Sequence, residues 1–330
     1  MELFRDVEFD WLGKRRIFFG LSALLLIAGL ASILAKGTLR YGVDFRGGAI
    51  VTVRFEERPG IDELRGYVQS GGAPGSEIQE SRGAGTGGYD FLIQVDQALV
   101  EDDLSRGREL ISAALDAGYA GGYEILNSES VGPKAGADLR RQAVLATLYA
   151  MGGMLLYIGF RFRSPEAVTG SGVFGRWVDR IVGRRIYGFA AVFAVFHDTL
   201  ITLGFFSIFD YEINLTVIAA LLTLVGYSVN DTIVVFDRIR ENLRVTRHET
   251  FENVVNKSIN QTLSRTVLTS GLTLVAALAM FFFGGDVIHS FAFALVIGVL
   301  IGTYSSIAVA SPMVLIYENY RARVRAGQAR

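Results

Sequence analysis

The chain has 330 residues, of which 51% are hydrophobic, and its formal charge at neutral pH is −1. With a positive mean hydropathy, this composition excludes an ordinary water-soluble protein and indicates an integral membrane protein with one soluble insert. The lack of cysteine excludes disulfides and cysteine-ligated metal sites, and three histidines argue against a histidine-rich metal site.

Six segments are long and apolar enough to cross a bilayer, which takes about 20 mostly apolar residues. They cover residues 17–35, 142–160, 186–209, 213–236, 266–285 and 289–316. The first lacks a small-residue cleavage site, so it predicts a retained helix rather than a cleaved signal. The predicted parts are 1–35 with the first helix, an outer domain at 36–138, a bundle at 139–317 and a basic tail at 318–330.

Basic residues gather on one side of the predicted membrane helices. They precede the first span, follow the last one, and fill the two longer links at 161–185 and 237–264, whereas the links around "FDYEI" and "GGDVI" have none. This asymmetry predicts that both termini and the two basic links are cytoplasmic and that the domain at 36–138 is extracytoplasmic. That domain has 17 Asp and Glu against 10 Lys and Arg, a formal charge of −7, which argues against nucleic acid or anionic lipid as its ligand.

The outer domain has the pattern of a small α+β fold. Alternating or β-rich segments predict strands at 49–55, 76–82, 89–95 and 122–130. Helical spacing of apolar residues predicts helices at 61–69 and about 100–117. The order β-α-β-β-α-β is that of the ferredoxin-like split βαβ fold.

Six short motifs follow one another along the chain. They are "YGVDFRGG" (41–48), "SVGP" (130–133), "FHDTLITLGFFSIF" (196–209), "VGYSVNDTIVVFDRIREN" (225–242), "SRTVLTSG" (264–271) and "IGTYSSIAVASP" (301–312). Together they resemble the SecF subunits of the SecD/SecF family, over about residues 10–320. A six-helix unit with a large domain between its first two helices also resembles half of an RND-type transporter.

The resemblance implies a function and a setting. SecF subunits pair with SecD in the bacterial cytoplasmic (inner) membrane and use the proton motive force to promote preprotein export. The implied partners are a SecD-like subunit forming a heterodimer, a SecYEG-type translocon, the unfolded preprotein and membrane lipid, with a YidC-like insertase left open and nucleic acid excluded. Because the chain starts at Met1 and ends after the sixth helix, the SecD partner is expected to be a separate chain.

One segment departs from the family pattern. SecF proteins usually join helices two and three by a short turn, whereas here "SPEAVTGSGVFGRWVDRIVGRR" (164–185) is longer. Its first part is typical of a linker and "RWVDRIVGRR" of a basic amphipathic helix at the membrane surface. Either it is an insert particular to this protein, or it contacts the ribosome or the translocon.

Asp231 is an acidic residue inside the fourth predicted span. A charge at the centre of a membrane helix costs roughly 2.5–3.5 kcal/mol on insertion scales, so a compensating environment is expected. Tyr227 and Ser228 lie four and three residues earlier, on a similar face. Asp231 is then either a structural anchor between helices or a protonatable group in a proton path, and the SecF resemblance implies the second.

Arg265 begins a polar stripe on the fifth span. Thr269 and Thr273 follow at steps of four residues, with Thr266 and Ser270 alongside. Either Arg265 extends to the lipid headgroups, or it controls the charge of Asp231 or of a partner carboxylate, because arginine keeps its own proton.

His197 and Asp198 form an adjacent pair in the third span, and Thr202 extends the face of Asp198. Two interpretations stay open for this pair. It completes a proton relay with Asp231, or it is a hydrogen-bonded packing device between helices.

Three further features are structural in character. Asp44, Arg46, Gly47 and Gly48 follow the first helix and predict a hinge, with Asp44 and Arg46 pairing locally or with a partner. Asn214 predicts a helix cap or an interfacial residue. The G-x-x-x-G of Gly298 and Gly302 predicts a close helix contact without naming the partner.

The sequence contains no phosphate-binding loop, nucleophile elbow or metal-ligand spacing. We therefore expect no enzymatic activity and no cofactor, with the proton as the coupling ion. The nearest alternative is half of an RND-type proton-driven exporter of small molecules or lipids, although an outer domain of about 100 residues leaves little room for the porter region such an exporter needs. A second alternative is a non-conducting membrane chaperone or assembly factor, in which Asp231→Asn would keep activity.

Overall fold

The computed structural model describes residues 8–81, 88–100, 105–161, 186–246 and 249–328. Within these ranges, six helical spans are long and apolar enough to cross a membrane, at the positions that the sequence predicts. They are α1 (Arg15–Lys36), α6 (Pro133–Arg161), α7 (Ile186–Phe209), α8 (Leu215–Val245), α9 (Phe251–Phe283) and a last span made of α10 (Gly285–Ser305), a π turn (Ser306–Ala310) and α11 (Ser311–Gln328). The predicted amphipathic segment at 164–185 lies outside the described residues.

The outer domain contains a four-stranded antiparallel sheet. Its elements are α2 (Val43–Arg46), β1 (Gly48–Phe55), α3 (Ile61–Ser70), β2 (Glu77–Glu80), β3 (Tyr89–Asp96), α4 (Gln97–Val100), α5 (Arg106–Gly118) and β4 (Tyr123–Val131). The strand order is β2-β3-β1-β4, so each β-α-β unit is split by a strand of the other unit. This order confirms the predicted ferredoxin-like domain. The helix predicted at about 100–117 corresponds to α5, which begins at Arg106, whereas the short α4 ends at Val100. Residues 101–104 lie outside the described ranges.

The sheet buries one face against α3 and α5. Alternate residues of β1, from Ala49 to Phe55, are fully buried, as are Phe91, Ile93 and Val95 of β3. Val51 pairs with Ile93 in register, and Leu64 and Ile111 complete the same core from the two helices. The period of two along each strand therefore fixes which side of the sheet carries the helices.

The link at 237–264, predicted as a loop, is mostly helical. Helix α8 continues to Val245 and α9 begins at Phe251, where the Thr250 side chain accepts a hydrogen bond from Asn253 N. Polar bonds join the two extensions, including Arg238 Nε to Gln261 Oε1 at 2.7 Å. Apolar packing continues there as well, because Ile239 of α8 and Val255 and Ile259 of α9 are fully buried in the same apolar cluster. The two helices therefore project beyond the apolar spans as an amphipathic pair.

Helices α7 and α8 lie at the centre of the bundle. The most apolar stretches of α7 and α8 are 50% buried and that of the last span is 61% buried, against 11% for α1. Small residues permit close approach, because a Cβ added at Gly29 of α1 would lie 2.7 Å from the Cα of Gly204 on α7. A Cβ at Gly298 would collide with Leu224, and one at Gly302 would lie 3.1 Å from the Cβ of Ser228. The partner of the G-x-x-x-G motif is therefore α8 of the same chain.

The chain after α1 ties the outer domain to the bundle. Gly42 N donates to Ile213 O at 2.9 Å, and Ile213 N donates to Arg40 O at 2.8 Å. The Arg40 guanidinium forms ion pairs with Asp210 and Glu212 in the link between α7 and α8, and also with Glu77 of β2. Arg40 thus bridges the sheet and the end of the central helices that faces the sheet domain.

Candidate functional site

A cluster of buried polar side chains lies within the apolar bundle, where α7, α8, α9 and the last span meet. Buried polar groups are costly in an apolar medium unless hydrogen bonds satisfy them. The buried members are His197, Asp198, Thr202, Ser228, Asp231, Thr232, Thr266, Ser270, Ser305 and Ser306. Two of these ten residues are carboxylic acids, and their surroundings differ.

Asp198 is held by groups from three elements. Ser228 Oγ of α8 and Ser305 Oγ at the end of α10 each donate to Asp198 Oδ2 at 2.7 Å. His197 Nδ1 lies 2.9 Å from Asp198 Oδ1, and it is the donor when the carboxylate is ionised, since a carboxylate only accepts. Asp198 therefore fastens α7 to α8 and to the last span.

His197 presents its other ring nitrogen to the interior. Its Nε2 is buried and has no hydrogen-bond partner within the ranges that the structure describes. With Nδ1 directed at Asp198, Nε2 is the atom that would take up or release a proton. The geometry is thus compatible with both the relay and the packing interpretation of this pair.

Asp231 has a sparser environment. Its side chain is 3% exposed, and the hydrogen bond it accepts in the described chain comes from Ser270 Oγ of α9, at 3.1 Å from Oδ2. Ser270 Oγ lies in turn 2.7 Å from Thr303 Oγ1 of α10. Asp231 is therefore connected to α9 directly and to α10 through one hydroxyl.

The π turn brings further hydroxyl groups to the cluster. Thr232 Oγ1 lies 2.8 Å from Ser306 Oγ, and Ser311 Oγ donates to the carbonyl of Ser306 at 2.9 Å. A π turn inserts an extra residue into a helix and is frequent at functional sites. Here it places Ser305 at Asp198 while Ser306 lies against α8.

Two residues predicted beside Asp231 have other neighbours. Ser228 contacts Asp198 instead, because position i−3 on a helix is rotated by about 60° from position i, which directs it to α7. Tyr227 is half-buried among apolar side chains, and its hydroxyl has no hydrogen-bond partner in the described chain. The polar patch predicted from spacing alone is therefore divided between the two carboxylates.

The stripe predicted on α9 is also divided. Thr269 Oγ1 and Thr273 Oγ1 donate to carbonyls of their own helix at 3.0 Å, and Thr269 is exposed. Arg265 is exposed as well and forms no hydrogen bond or ion pair with the residues described here. The buried side of α9 carries Thr266 and Ser270, so Ser270 is the residue that reaches Asp231. The effect of Arg265 on Asp231 stays a prediction.

The residues predicted as a hinge lie at the junction of sheet and bundle. Asp44 Oδ2 accepts from Leu215 N at 2.8 Å, and Asn214 caps the same helix by accepting from Val217 N at 3.0 Å, as predicted. Gly47 and Gly48 have positive φ angles, and a Cβ at Gly48 would lie 2.5 Å from Val95 O. Asp44 thus caps α8, and the hinge stays a prediction.

Sequence reasoning missed the contribution of the last span. Ser305, Ser306 and Thr303 supply three of the hydroxyls in the cluster. The run "TYSS" at 303–306 within an apolar span was the available signal, since consecutive hydroxyl residues on a membrane helix indicate contacts with other helices. Within the described ranges, no group of three or more His, Asp or Glu could hold a metal ion.

Comparison with known proteins identifies the family. The family model described as "Protein export membrane protein SecD/SecF, C-terminal" matches residues 112–171 and 181–320, and the "SecD/SecF GG Motif" matches 32–57. Protein translocase subunit SecF of Koribacter versatilis is 37% identical, with 97% of this chain and 94% of that protein aligned. The SecF of Desulfurispirillum indicum is 41% identical over 90% of this chain and 87% of its own length. The chain belongs to the SecF family.

Solved structures agree with this assignment. The crystal structure of SecDF from Thermus thermophilus, described as a translocon-associated membrane protein, superimposes with a TM-score of 0.78 and 37% identity. It covers 95% of this chain and 39% of that longer chain. The SecF assignment, the fold class and a role in protein translocation by a multi-pass membrane protein are therefore established for this chain. The gap at 172–180 in the family match falls within the segment that departs from the SecF pattern.

Proposed function

We propose that this SecF-family subunit uses the proton motive force to promote preprotein translocation, and that Asp231 is the group that binds and releases the proton. The observation that carries the proposal is the contrast between the two buried acids. Asp198 has donors from three side chains, whereas Asp231 accepts from Ser270. A carboxylate with few fixed donors can change its protonation state at a smaller structural cost.

The bond between Asp231 and Ser270 can change direction. When Asp231 is ionised, Ser270 donates to it. When Asp231 is protonated, its own O–H can donate to Ser270 Oγ, and the Ser270 proton must turn to another acceptor. Since Ser270 is also bonded to Thr303, each proton transfer changes the bonding between α8, α9 and α10.

A membrane potential supplies energy on the scale that this step requires. One elementary charge that crosses 100 mV yields about 2.3 kcal/mol. This is comparable to the roughly 2.5–3.5 kcal/mol cost of a charged carboxylate in a membrane helix. In the proposed cycle, Asp198 keeps α7, α8 and the last span together while the contact between Asp231 and α9 opens and closes.

An exposed polar strip supports a SecD-like partner. Thr223 and Asn230 lie exposed along α8, with the exposed Gly226 between them, and Arg265 and Thr269 lie exposed on α9. Polar side chains on membrane helices rarely face lipid and generally lie against protein. The Thermus thermophilus relative named SecDF, of which this chain covers 40%, supports the same assembly. Arg265 would then act across the interface.

The remaining assignments rest on the family and on charge. The proposed setting is the bacterial cytoplasmic membrane, with both termini cytoplasmic and the domain at 36–138 extracytoplasmic. There the domain would hold the emerging, unfolded preprotein beside a SecYEG-type translocon, with a YidC-like insertase as a further neighbour. No cofactor other than the proton is required, and no enzymatic step is proposed.

The proposal is tested by preprotein export into membrane vesicles that contain or lack this chain, with and without an imposed proton gradient. The gradient-dependent part of export should require the chain. If the gradient accelerates export equally in both vesicles, the chain does not couple protons to export and the assembly-factor alternative holds.

A further inference from the structure

A cavity of about 430 Å³ lies where the sheet domain meets the bundle. Its walls come from α2 and the residues that flank it, from the end of β3 and from the first turns of α6. Its lining includes two arginines, two glutamines and two aromatic residues, which are Arg46, Arg140, Gln94, Gln97, Tyr41 and Phe45. None of these groups takes part in the proposed proton chemistry.

The apolar segment of α6 starts beside the cavity, which places the cavity at the level of the lipid headgroups in the proposed membrane arrangement. Arg140 is two residues before the apolar segment of α6 that begins at residue 142, a distance of about 3 Å along the helix axis. Phe45 packs in the apolar cluster of the outer half of the bundle, together with Leu139 and Ala143. Tyr41 lies partly buried beside the same cluster, which is the interfacial position that tyrosine favours.

Two guanidinium groups in this cavity have no direct partner. Neither Arg46 nor Arg140 forms a hydrogen bond or an ion pair within residues 8–81, 88–100, 105–161, 186–246 and 249–328, whereas Arg40, Arg54 and Arg58 all form ion pairs. Arg46 has an electrostatic interaction with Glu212. The acidic residue in the lining, Asp96, accepts a hydrogen bond from Ala98 N at 2.9 Å.

We propose that this cavity binds the phosphate of an anionic phospholipid headgroup at the membrane surface beside the sheet domain. Two guanidiniums and one carboxylate leave the lining locally positive, although the domain as a whole is acidic. Arginine binds phosphate with two parallel hydrogen bonds, and the amides of Gln94 and Gln97 can donate to the remaining oxygens. The N-terminal end of α6, at Pro133 in the wall, adds a favourable dipole.

A lipid fits this site better than an acidic peptide. The cavity is next to the acyl-chain region, since the apolar segment of α6 starts at its lower edge. A phospholipid placed there can extend its chains along α6 while its headgroup enters the cavity. The bound lipid would hold the base of the sheet domain to the bilayer.

The test counts, by native mass spectrometry, the phosphatidylglycerol molecules that the detergent-purified full chain retains, and compares the wild type with two variants. The double variant Arg46→Gln/Arg140→Gln should retain at least about tenfold less lipid, since a hydrogen bond to a charged group contributes about 1.5–3 kcal/mol. Arg141→Gln is the matched control, because Arg141 is the next residue of α6, is exposed and does not line the cavity. Retention of neutral phosphatidylcholine should be low in all three proteins.

Several outcomes would overturn the proposal. Equal phosphatidylglycerol retention by wild type and the double variant would exclude the site. Displacement of the lipid by an equal concentration of inorganic phosphate would indicate a site for free phosphate. Displacement by a polyglutamate peptide would indicate a protein ligand instead.

A second measurement leaves both arginines in place. The chain has no cysteine, so Ala137→Cys introduces a single thiol in the cavity wall. Its maleimide labelling should be several-fold slower in phosphatidylglycerol vesicles than in phosphatidylcholine vesicles. Ala135→Cys, exposed on the same helix outside the lining, should show no such difference. Equal rates for Ala137→Cys in both vesicles would contradict the proposal.

Discussion

The Ser228 hydroxyl donates to Asp198 Oδ2 at 2.7 Å, although Ser228 lies one turn before Asp231 on α8. This bond joins α7 and α8 at Asp198. Asp231 is hydrogen-bonded to α9 instead. Among the residues that the structure describes, the SecF bundle therefore contains one firmly held carboxylate and one carboxylate with a single hydroxyl donor. The proposed mechanism depends on that difference.

Removal of the Asp198 carboxylate should destabilise the bundle. Asp198→Ala leaves Ser228 Oγ and His197 Nδ1 without their acceptor, while Ser305 Oγ keeps its bond to Gly302 O at 3.1 Å. Each unsatisfied buried group costs about 1–3 kcal/mol. Thr199→Ala on the same helix is the control, since Thr199 donates to a carbonyl one turn back, at 2.9 Å. Unfolding of the purified chain in denaturing detergent measures the difference. Similar midpoints for the two variants would show that Asp198 does not hold the helices together.

Ser270 should matter for coupling more than Thr273 on the same helix. Ser270→Ala removes the donor to Asp231 and the contact with Thr303, so we expect a several-fold loss of gradient-dependent export. Thr273→Ala should have little effect on that rate, because the Thr273 hydroxyl donates to the Thr269 carbonyl of its own helix at 3.0 Å. The measurement is preprotein export by each variant, assayed with and without the proton gradient. An equal or larger effect of Thr273→Ala would show that the contact between Ser270 and Asp231 is not the coupling contact.

The polar strip on α8 should contact the SecD-like partner. A single thiol introduced as Asn230→Cys is expected to cross-link to that subunit with a short bifunctional reagent in native membranes. Leu34→Cys is the control, because Leu34 is 71% exposed on the peripheral helix α1. Cross-linking yields are read by mass spectrometry. Equal yields from both positions would argue that the strip is not the interface.

Glu212 should make stability fall as the pH rises. Burial raises the pKa of Glu212 above its ordinary value of 4.5, with Glu77 adding to the effect and Arg40 and Arg46 opposing it. The folded protein then binds more protons than the unfolded chain above pH 4.5, so stability is lost as the pH rises through the folded-state pKa. Glu212→Gln should reduce this loss.

The measurement is the thermal unfolding midpoint from pH 4.5 to neutral pH, with Glu63→Gln, an exposed carboxylate of α3, as the control. Asp210 acts in the opposite direction. Lys36 and Arg40 lower its pKa below the ordinary value of 3.8, so its contribution is lost only as the pH falls below that value. If the unfolding midpoint of Glu212→Gln falls with rising pH as steeply as that of the wild type, Glu212 does not cause the loss of stability.

Much of the fold follows from local patterns in the sequence. The hydropathy of the spans predicts six helices, and alternation along β1 and β3 predicts the sheet and its buried face. The extension of α8 and α9 through residues 237–264 was missed, because hydropathy marks where apolar residues end and not where a helix ends. Polar bonds between Arg238 and Gln261 continue the pair beyond that point.

The site is less predictable because it depends on how the helices are rotated. Spacing places Ser228 near Asp231, but the orientation of α8 against α7 decides which acid it meets. The π turn at Ser306–Ala310 shifts the register of the last span, and no local signal specifies that shift. Arg265 likewise follows the helical period of Thr269 and Thr273, yet that face points away from the rest of the chain.

The measurement that tests the central claim most directly is preprotein export by the Asp231→Asn variant, with and without a proton gradient, in membranes where the SecD-like partner copurifies. Asparagine keeps the shape and an acceptor for Ser270 but cannot carry a proton. The account predicts that the gradient-dependent part of export disappears while the complex remains intact. Undiminished gradient-dependent export would show that Asp231 is a structural anchor and would contradict the account.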